Sequence, residues 1–217
     1  MDNIEKIKKL KEKKNAIILA HYYVDEEVQK IADYIGDSFY LAKVASQTEA
    51  DRIVFAGVEF MGESAKILNP NKKVLMPDAF ADCPMAHMIT IKEIKEMREK
   101  YDDLAVVCYI NSTAEIKQYA DVCVTSSNAV KIVKALPQKN IFFIPDQNLG
   151  DFVRRQVPEK NVMTNYGHCP RHTNITLDKL NEAKQKYPEA KIAVHPECKR
   201  EIVEAADFCE NQRISTE

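Results

Sequence analysis

No stretch of this sequence is apolar for long enough to cross a bilayer. The longest runs, Ala16–Ala20 and Leu104–Ile110, fall far short of the roughly 20 residues that a spanning helix needs. An excess of charge of either sign is also missing. The formal net charge is −2, which leaves no basic footprint for a nucleic acid or an anionic membrane surface. The amino-terminal segment Met1–Lys14 has charges but no apolar centre, so it does not read as a secretory signal. It reads instead as an amphipathic helix with Ile4, Ile7 and Leu10 on one side. No C-x-x-C pair occurs among Cys83, Cys108, Cys123, Cys169, Cys198 and Cys209, which argues against zinc-ribbon and thioredoxin-like designs. A cytoplasmic location is expected, where thiols stay reduced and serve in packing, metal binding or catalysis.

What the sequence does contain is ordinary globular composition, 45% hydrophobic and 29% charged, with a repeat running through it. AIILAHYY leads into a polar, aromatic cluster at His21, and LAVVCYINST does the same at Tyr109, at a spacing of 109 − 21 = 88. Ala32–Asp33 and Ser38 align with Ala120–Asp121 and Ser126, again at 126 − 38 = 88. Ile53 aligns with Ile141 and Gly62 with Gly150 at the same offset, and Cys83 aligns with Cys169 at 169 − 83 = 86. Each unit reads strand, helix, short strand, helix, strand, helix, strand, then a cysteine loop. The strands are continuous Val/Ile/Phe runs without alternation, the pattern of parallel strands covered on both faces. Ser112-x-x-Glu115 has the form of a capping box, and Pro70 stops the helix that begins near Phe60.

The expected fold class is therefore α/β, built from repeated three-layer α/β/α sandwich units with parallel sheets. The expected organisation is an amino-terminal helix (1–15), a first unit (16–100), a second (101–186), the first βα of a third (187–208) and an aberrant tail (209–217). KIAVHPEC restarts the repeat, with His195 at 195 − 109 = 86 and Ala206–Asp207 in step. The register then fails at Gln212, where a serine is expected, and CENQRISTE has no period and reads as disordered.

Ligands of parallel α/β sheets bind beyond the carboxyl ends of the strands. There the repeat places His21 and Tyr23, then Tyr109 and Asn111, then His195 and Glu197. Asp37–Ser38 and Ser126–Ser127 lie where helices start, positions that serve as caps, as anion sites, or as both. Cys83 and Cys169 occupy equivalent loops, each followed by proline, which favours a ligand role over packing. Three thiolates with one open position hold a [4Fe–4S] cluster whose fourth iron is a Lewis acid. Cys108 and Cys123 fall inside strands and read as core. Cys198 either lines a site or has no role, and Cys209 is assigned nothing.

Together, AHYY, GDS, VFAGVEFMGESAKILNP, DCPMA, YINST, TSSNA, PDQNLG, the Gly167–Cys169–His172 motif and HPEC resemble the A-type, iron–sulfur-dependent quinolinate synthase family, over about Met1–Phe208. The resemblance implies three similar α/β/α domains around a cavity, with a [4Fe–4S] cluster held by one cysteine from each. It implies condensation of iminoaspartate, supplied by L-aspartate oxidase, with dihydroxyacetone phosphate. Phosphate and water are lost, and the product is quinolinate for de novo NAD biosynthesis. Carried onto this chain, it makes Cys83 and Cys169 cluster ligands and Tyr23, Tyr109, Glu197 and His195 catalytic. It makes His21, Ser38, Asn111, Ser126 and His172 substrate contacts. The family's third cysteine has no counterpart among these residues, so the expectation is a chain lacking most of the third domain and inactive by itself. The competing expectations are an inactive remnant that binds small anions or metal, and an assembly protein that pairs through an exposed strand edge.

Overall fold

The computed structural model describes residues 2–209. It is an α/β protein with parallel sheets of four strands, in two compact units that divide after Cys83. The expected tail from 210 onward lies outside the described residues.

The first unit opens with α1 (Asn3–Lys13), then β1 (Ala16–His21), α2 (Glu26–Gln29), β2 (Tyr34–Gly36), α3 (Ser38–Gln47), β3 (Arg52–Ala56), α4 (Glu59–Leu68) and β4 (Lys73–Leu75). Its sheet order is β2-β1-β3-β4, all parallel. Helix α1 forms as expected, but Ile4 and Leu10 on its apolar side remain exposed. Asn15 turns the chain from α1 into β1 with φ of 45°, a conformation asparagine tolerates, and its side chain donates to Asp51 at 3.1 Å.

The second unit repeats this plan. It begins with a 3₁₀ turn (Pro84–His87) and α5 (Ile91–Lys100), the latter closed by a Thr90–Glu93 capping box. Next come β5 (Leu104–Tyr109), α6 (Ala114–Lys117), β6 (Val122–Val124), α7 (Ala129–Ala135), β7 (Asn140–Ile144), α8 (Gln147–Gln156) and β8 (Asn161–Thr164), in sheet order β6-β5-β7-β8. The unit continues with α9 (Pro170–Thr173), α10 (Leu177–Lys186), β9 (Ala193–Val194), α11 (Arg200–Ala205) and β10 (Phe208–Cys209), the last pairing parallel with β9.

All six residues of β5 are buried, which requires cover on both sheet faces. One face packs Leu104, Val106 and Cys108 against Ile94 of α5 and Ile116 of α6. This explains where the units divide. Residues 84–100 read from sequence as the end of the first unit, but Ile94 is fully buried under β5 and belongs to the second. In α8, a Cβ on Gly150 would lie 2.4 Å from Thr164 and 3.2 Å from Phe143, so only glycine lets this helix approach β7 and β8 so closely.

The repeated Ala–Asp pair has a structural cause. Asp33 donates its N–H to Ile18 O and accepts the Ile18 N–H on its carboxylate, both at 2.8 Å. Asp121 does the same with Val106 at 2.9 and 2.7 Å, and Asp207 with Ile192 at 3.0 and 3.0 Å. Each carboxylate also meets one cation: Lys11 at 2.6 Å, Arg98 at 2.9 Å and Lys191 at 3.2 Å respectively. Each Asp thus clasps one strand to the short strand paired with it, and the β9–β10 pair carries the clasp as well.

Three readings from sequence change. Ser112 does not cap α6: Thr113 is the N-cap and accepts from Ile116 N–H, while the buried Ser112 hydroxyl donates to Tyr109 O at 2.9 Å. Cys123 is exposed rather than packed, because β6 is a three-residue edge strand. Cys209, assigned to the tail, belongs to β10 opposite Val194. None of the described helices is long and apolar enough to cross a membrane.

Candidate active site

The richest polar cluster lies in the second unit, where the chain leaves β5, β7, β8 and β9 at their carboxyl ends. Tyr109 is the last residue of β5 and Glu197 follows β9; both are buried, at 6% and 2% exposure. The Tyr109 hydroxyl interacts with the Glu197 carboxylate. Burial, then the Glu197 carboxylate, push the phenol well above its usual range. Burial alone would raise the Glu197 carboxyl too, but the His172 hydrogen bond, the His195 and His172 rings and the Tyr109 hydroxyl outweigh it. The carboxyl is held below its ordinary value, and Glu197 stays ionised.

His172, on α9, is the counter-ion. Its Nδ1 lies 2.7 Å from Glu197 Oε2 and 3.2 Å from Cys169 Sγ. Burial opposes a charged ring, but the bonds to Cys169 and Glu197 prevail and raise it to about 10. An imidazolium Nδ1–H cannot accept, so it donates to Glu197 with the sulfur as a second, longer acceptor. His195 stacks on this ring at 4.7 Å between centroids and has the opposite protonation. Burial lowers it to about 4 against the pull of Glu197. Its Nδ1 accepts the Glu197 N–H at 3.3 Å, which leaves Nε2–H to donate to Ser126 Oγ at 3.3 Å. Ser126 is therefore tied to His195 rather than capping α7, whose N-cap is Asn128.

Asp146 holds the cysteine loop. One carboxylate oxygen accepts Leu149 N–H at 2.7 Å, capping α8, and the other accepts Cys169 N–H at 3.0 Å. Asp146 is fully buried, and burial, then the Glu197 charge, raise it to about 7 against those backbone bonds. Asn148 donates to Glu197 O at 3.0 Å. A Cβ on Gly167 would fall 2.2 Å from Pro145 O, so the loop closes on α8 only with glycine there. Cys169, His172 and Glu197 place three donor atoms within 4.8 Å of one another, a possible metal site.

The structure thus brings together Tyr109, Ser126, Cys169, His172, His195 and Glu197 of the expected residues, with Asn111 half-buried in the loop after β5. Cys198 packs with Leu180 and Ile202 in the core. Asp146 and Asn148 were not singled out by sequence. Position 146 − 88 = 58 is Val58, so the repeat gives no hint of Asp146, although an Asp just before a helix is an N-cap signal.

The first unit presents a shorter version. His21 ends β1, is 4% exposed, and is lowered to about 4 by burial against the pull of Asp37. Its Nδ1 accepts Tyr23 N–H at 3.3 Å, the contact that Glu197 and His195 also make. The Tyr23 ring is exposed and lies 4.5 Å from the imidazole. Asp37 caps α3 by accepting Tyr40 N–H at 2.7 Å, and Ser38 is the first residue of that helix. Cys83 is half-buried in the loop beyond β4, its N–H on Asp82 at 2.7 Å.

Fold and site define a class: a modular parallel α/β protein whose strand ends carry an acid–base cluster with metal-capable donors. The family model described as "Quinolinate synthetase A protein" matches residues 5–216. A quinolinate synthase of Fusobacterium nucleatum subsp. nucleatum is 62% identical over 204 residues, covering 94% of this chain and 68% of that protein. One from a Sulfurihydrogenibium species is 56% identical, and one from Aquifex aeolicus 54%, covering 67% and 63% of their lengths. The chain belongs to the quinolinate synthase family, enzymes of NAD biosynthesis, and spans about two thirds of the length of these relatives.

Proposed function

We propose that the chain serves the condensation of iminoaspartate with dihydroxyacetone phosphate to quinolinate, with loss of phosphate and water. Iminoaspartate would come from L-aspartate oxidase in the cytoplasm. The observation that carries this reading is the Tyr109–Glu197–His172–Cys169 chain, which joins proton carriers of opposed pKa to a sulfur donor.

Isomerisation and dehydration require groups that take and return protons. Glu197, ionised and held by Asn148, is the base, and the Tyr109 hydroxyl delivers the proton back. His195 donates from Nε2, and the His172 imidazolium offers positive charge to a carboxylate or phosphate. Ser126, bonded to His195, and Asn111 would add polar contacts. In the first unit His21 and Ser38 would hold a substrate carboxylate, with Tyr23 as a further acid–base group. Half-buried thiols in equivalent loops suit thiolate ligation of iron, and the backbone N–H of each is already fixed by an Asp. Cys83 and Cys169 would hold a [4Fe–4S] cluster, with a third thiolate from outside the described residues. When bound, the cluster supplies a Lewis acid that eases loss of water.

Anaerobic reconstitution followed by iron, sulfide and quinolinate assays tests this. Cys83→Ser and Cys169→Ser should each lose the bound iron. Tyr109→Phe and Glu197→Gln should keep it while quinolinate formation falls by about 10²-fold or more. Iron retained in both cysteine variants would overturn the cluster assignment, and unchanged turnover in Glu197→Gln the acid–base assignment.

A further inference from the structure

We infer that Cys108 and Cys123 form an oxidant-sensitive modification site, a pair of thiols on neighbouring parallel strands that a peroxide converts to a disulfide. The two residues are direct register partners of β5 and β6, so their side chains leave the same sheet face. Paired strands run about 4.8 Å apart, inside the Cα separations of about 4.4–6.8 Å that a disulfide bridges. The Cys108 thiol also donates to Tyr109 O at 3.4 Å. The two thiols differ in the way the chemistry requires. Cys123 sits on the edge strand and is exposed, whereas Cys108 is fully buried beneath Ile116 and Ile94. The neighbouring Cys108 thiol, and further off the Lys117 charge, bring the Cys123 thiol down to about 7 against burial. The Cys123 thiol and burial push the Cys108 thiol up. One thiol is thus ready to be oxidised, and its partner is placed to resolve it.

The steps balance. The Cys123 thiolate attacks one oxygen of hydrogen peroxide, the O–O bond breaks, and the departing hydroxide takes up a proton to become water. Cys123 is left as a sulfenic acid. The Cys108 sulfur attacks that sulfur, the S–O bond breaks, and the leaving hydroxyl departs as water with the Cys108 proton. Two electrons pass from sulfur to oxygen, and two thiols become one disulfide. The site uses neither Cys83 nor Cys169 and is independent of the proposed catalytic role.

The test uses the whole chain, reduced and then freed of reductant under anaerobic conditions. At pH 7 a thiol of pKa near 7 is about half thiolate against about 1% for one near 9, and after its lower nucleophilicity Cys123 should alkylate about fivefold faster than glutathione. After one equivalent of peroxide, capping and cleavage at Lys100, Lys117 and Lys131 put the two cysteines on separate peptides. Those peptides should be found joined, two hydrogens lighter. Cys123→Ser, at an exposed position that leaves the core intact, should abolish the link, and Cys108→Ala should stop the reaction at a sulfenic acid trapped by dimedone. A folded wild-type chain that gives no joined peptide, or the link persisting in Cys123→Ser, would overturn the inference.

Discussion

At the scale of single residues, the site runs on groups whose burial pulls them in opposite directions. Asp146 and His195 illustrate the point. Asp146 is raised to about 7, so between its unfolded value and pH 7 the folded chain holds a proton that the unfolded chain does not, and its contribution to stability is lost as pH rises through 7. His195 is lowered to about 4, so between pH 4 and 6.5 the unfolded chain holds the extra proton, and stability falls as pH falls. The two offset each other. Asp146→Asn should therefore make unfolding free energy rise with pH more steeply than in wild type between about pH 4.5 and 6.5, by about one proton or about 1.4 kcal/mol per pH unit. Urea titrations at several pH values measure this, and an unchanged slope would count against a raised Asp146. His172→Gln should leave the Glu197 charge buried without its cation and cost about 3 kcal/mol, read from the urea midpoint. His172 itself, raised to about 10, contributes its stability in full below pH 6.5 and loses it as pH climbs through 10. Tyr109, His195 and Glu197 were legible in the sequence because strand ends are readable from apolar runs. Asp146 was not, because its role depends on how one loop folds back onto α8.

At the scale of elements, close approach and clasping decide stability. Gly150→Ala gains intrinsic helix propensity of about 1 kcal/mol, but its methyl must displace Thr164 and Phe143. A net loss of about 1–2 kcal/mol is expected, because overpacking typically costs more than the propensity gain. Asp121→Ala removes the acceptor of Val106 N–H and the partner of Arg98, and should cost about 1 kcal/mol. Asp121→Asn keeps an acceptor oxygen and should cost less; equal midpoint shifts for the two variants would remove the clasp from the account. The order of strands and helices could be read from apolar runs and the 88-residue offset. Local choices could not. Ser112 and Thr113 are adjacent, and only the turn geometry selects which one caps α6. Burial of Cys123 could not be read from a three-residue strand, since its exposure depends on what lies beside β6 in the sheet. Helix α5 looked like the end of one module and packs as the lid of the next.

At the scale of the whole molecule, stability is distributed unevenly. Strands β5 and β7 are buried almost throughout, whereas β9 and β10 form a two-residue ladder with Ala193 and Phe208 exposed. Hydrogen exchange should protect Val106, Val107 and Phe142 most and Cys209 least, and uniform protection would contradict this gradient. The Asp clasps have a consequence for engineering. Each fastening begins and ends inside its own module, so its backbone bonds are indifferent to the side chains carried at the strand tip. A tip such as His21–Tyr23 should therefore be transplantable onto β5 or β9 as a cassette, with new surface chemistry on an unaltered chassis.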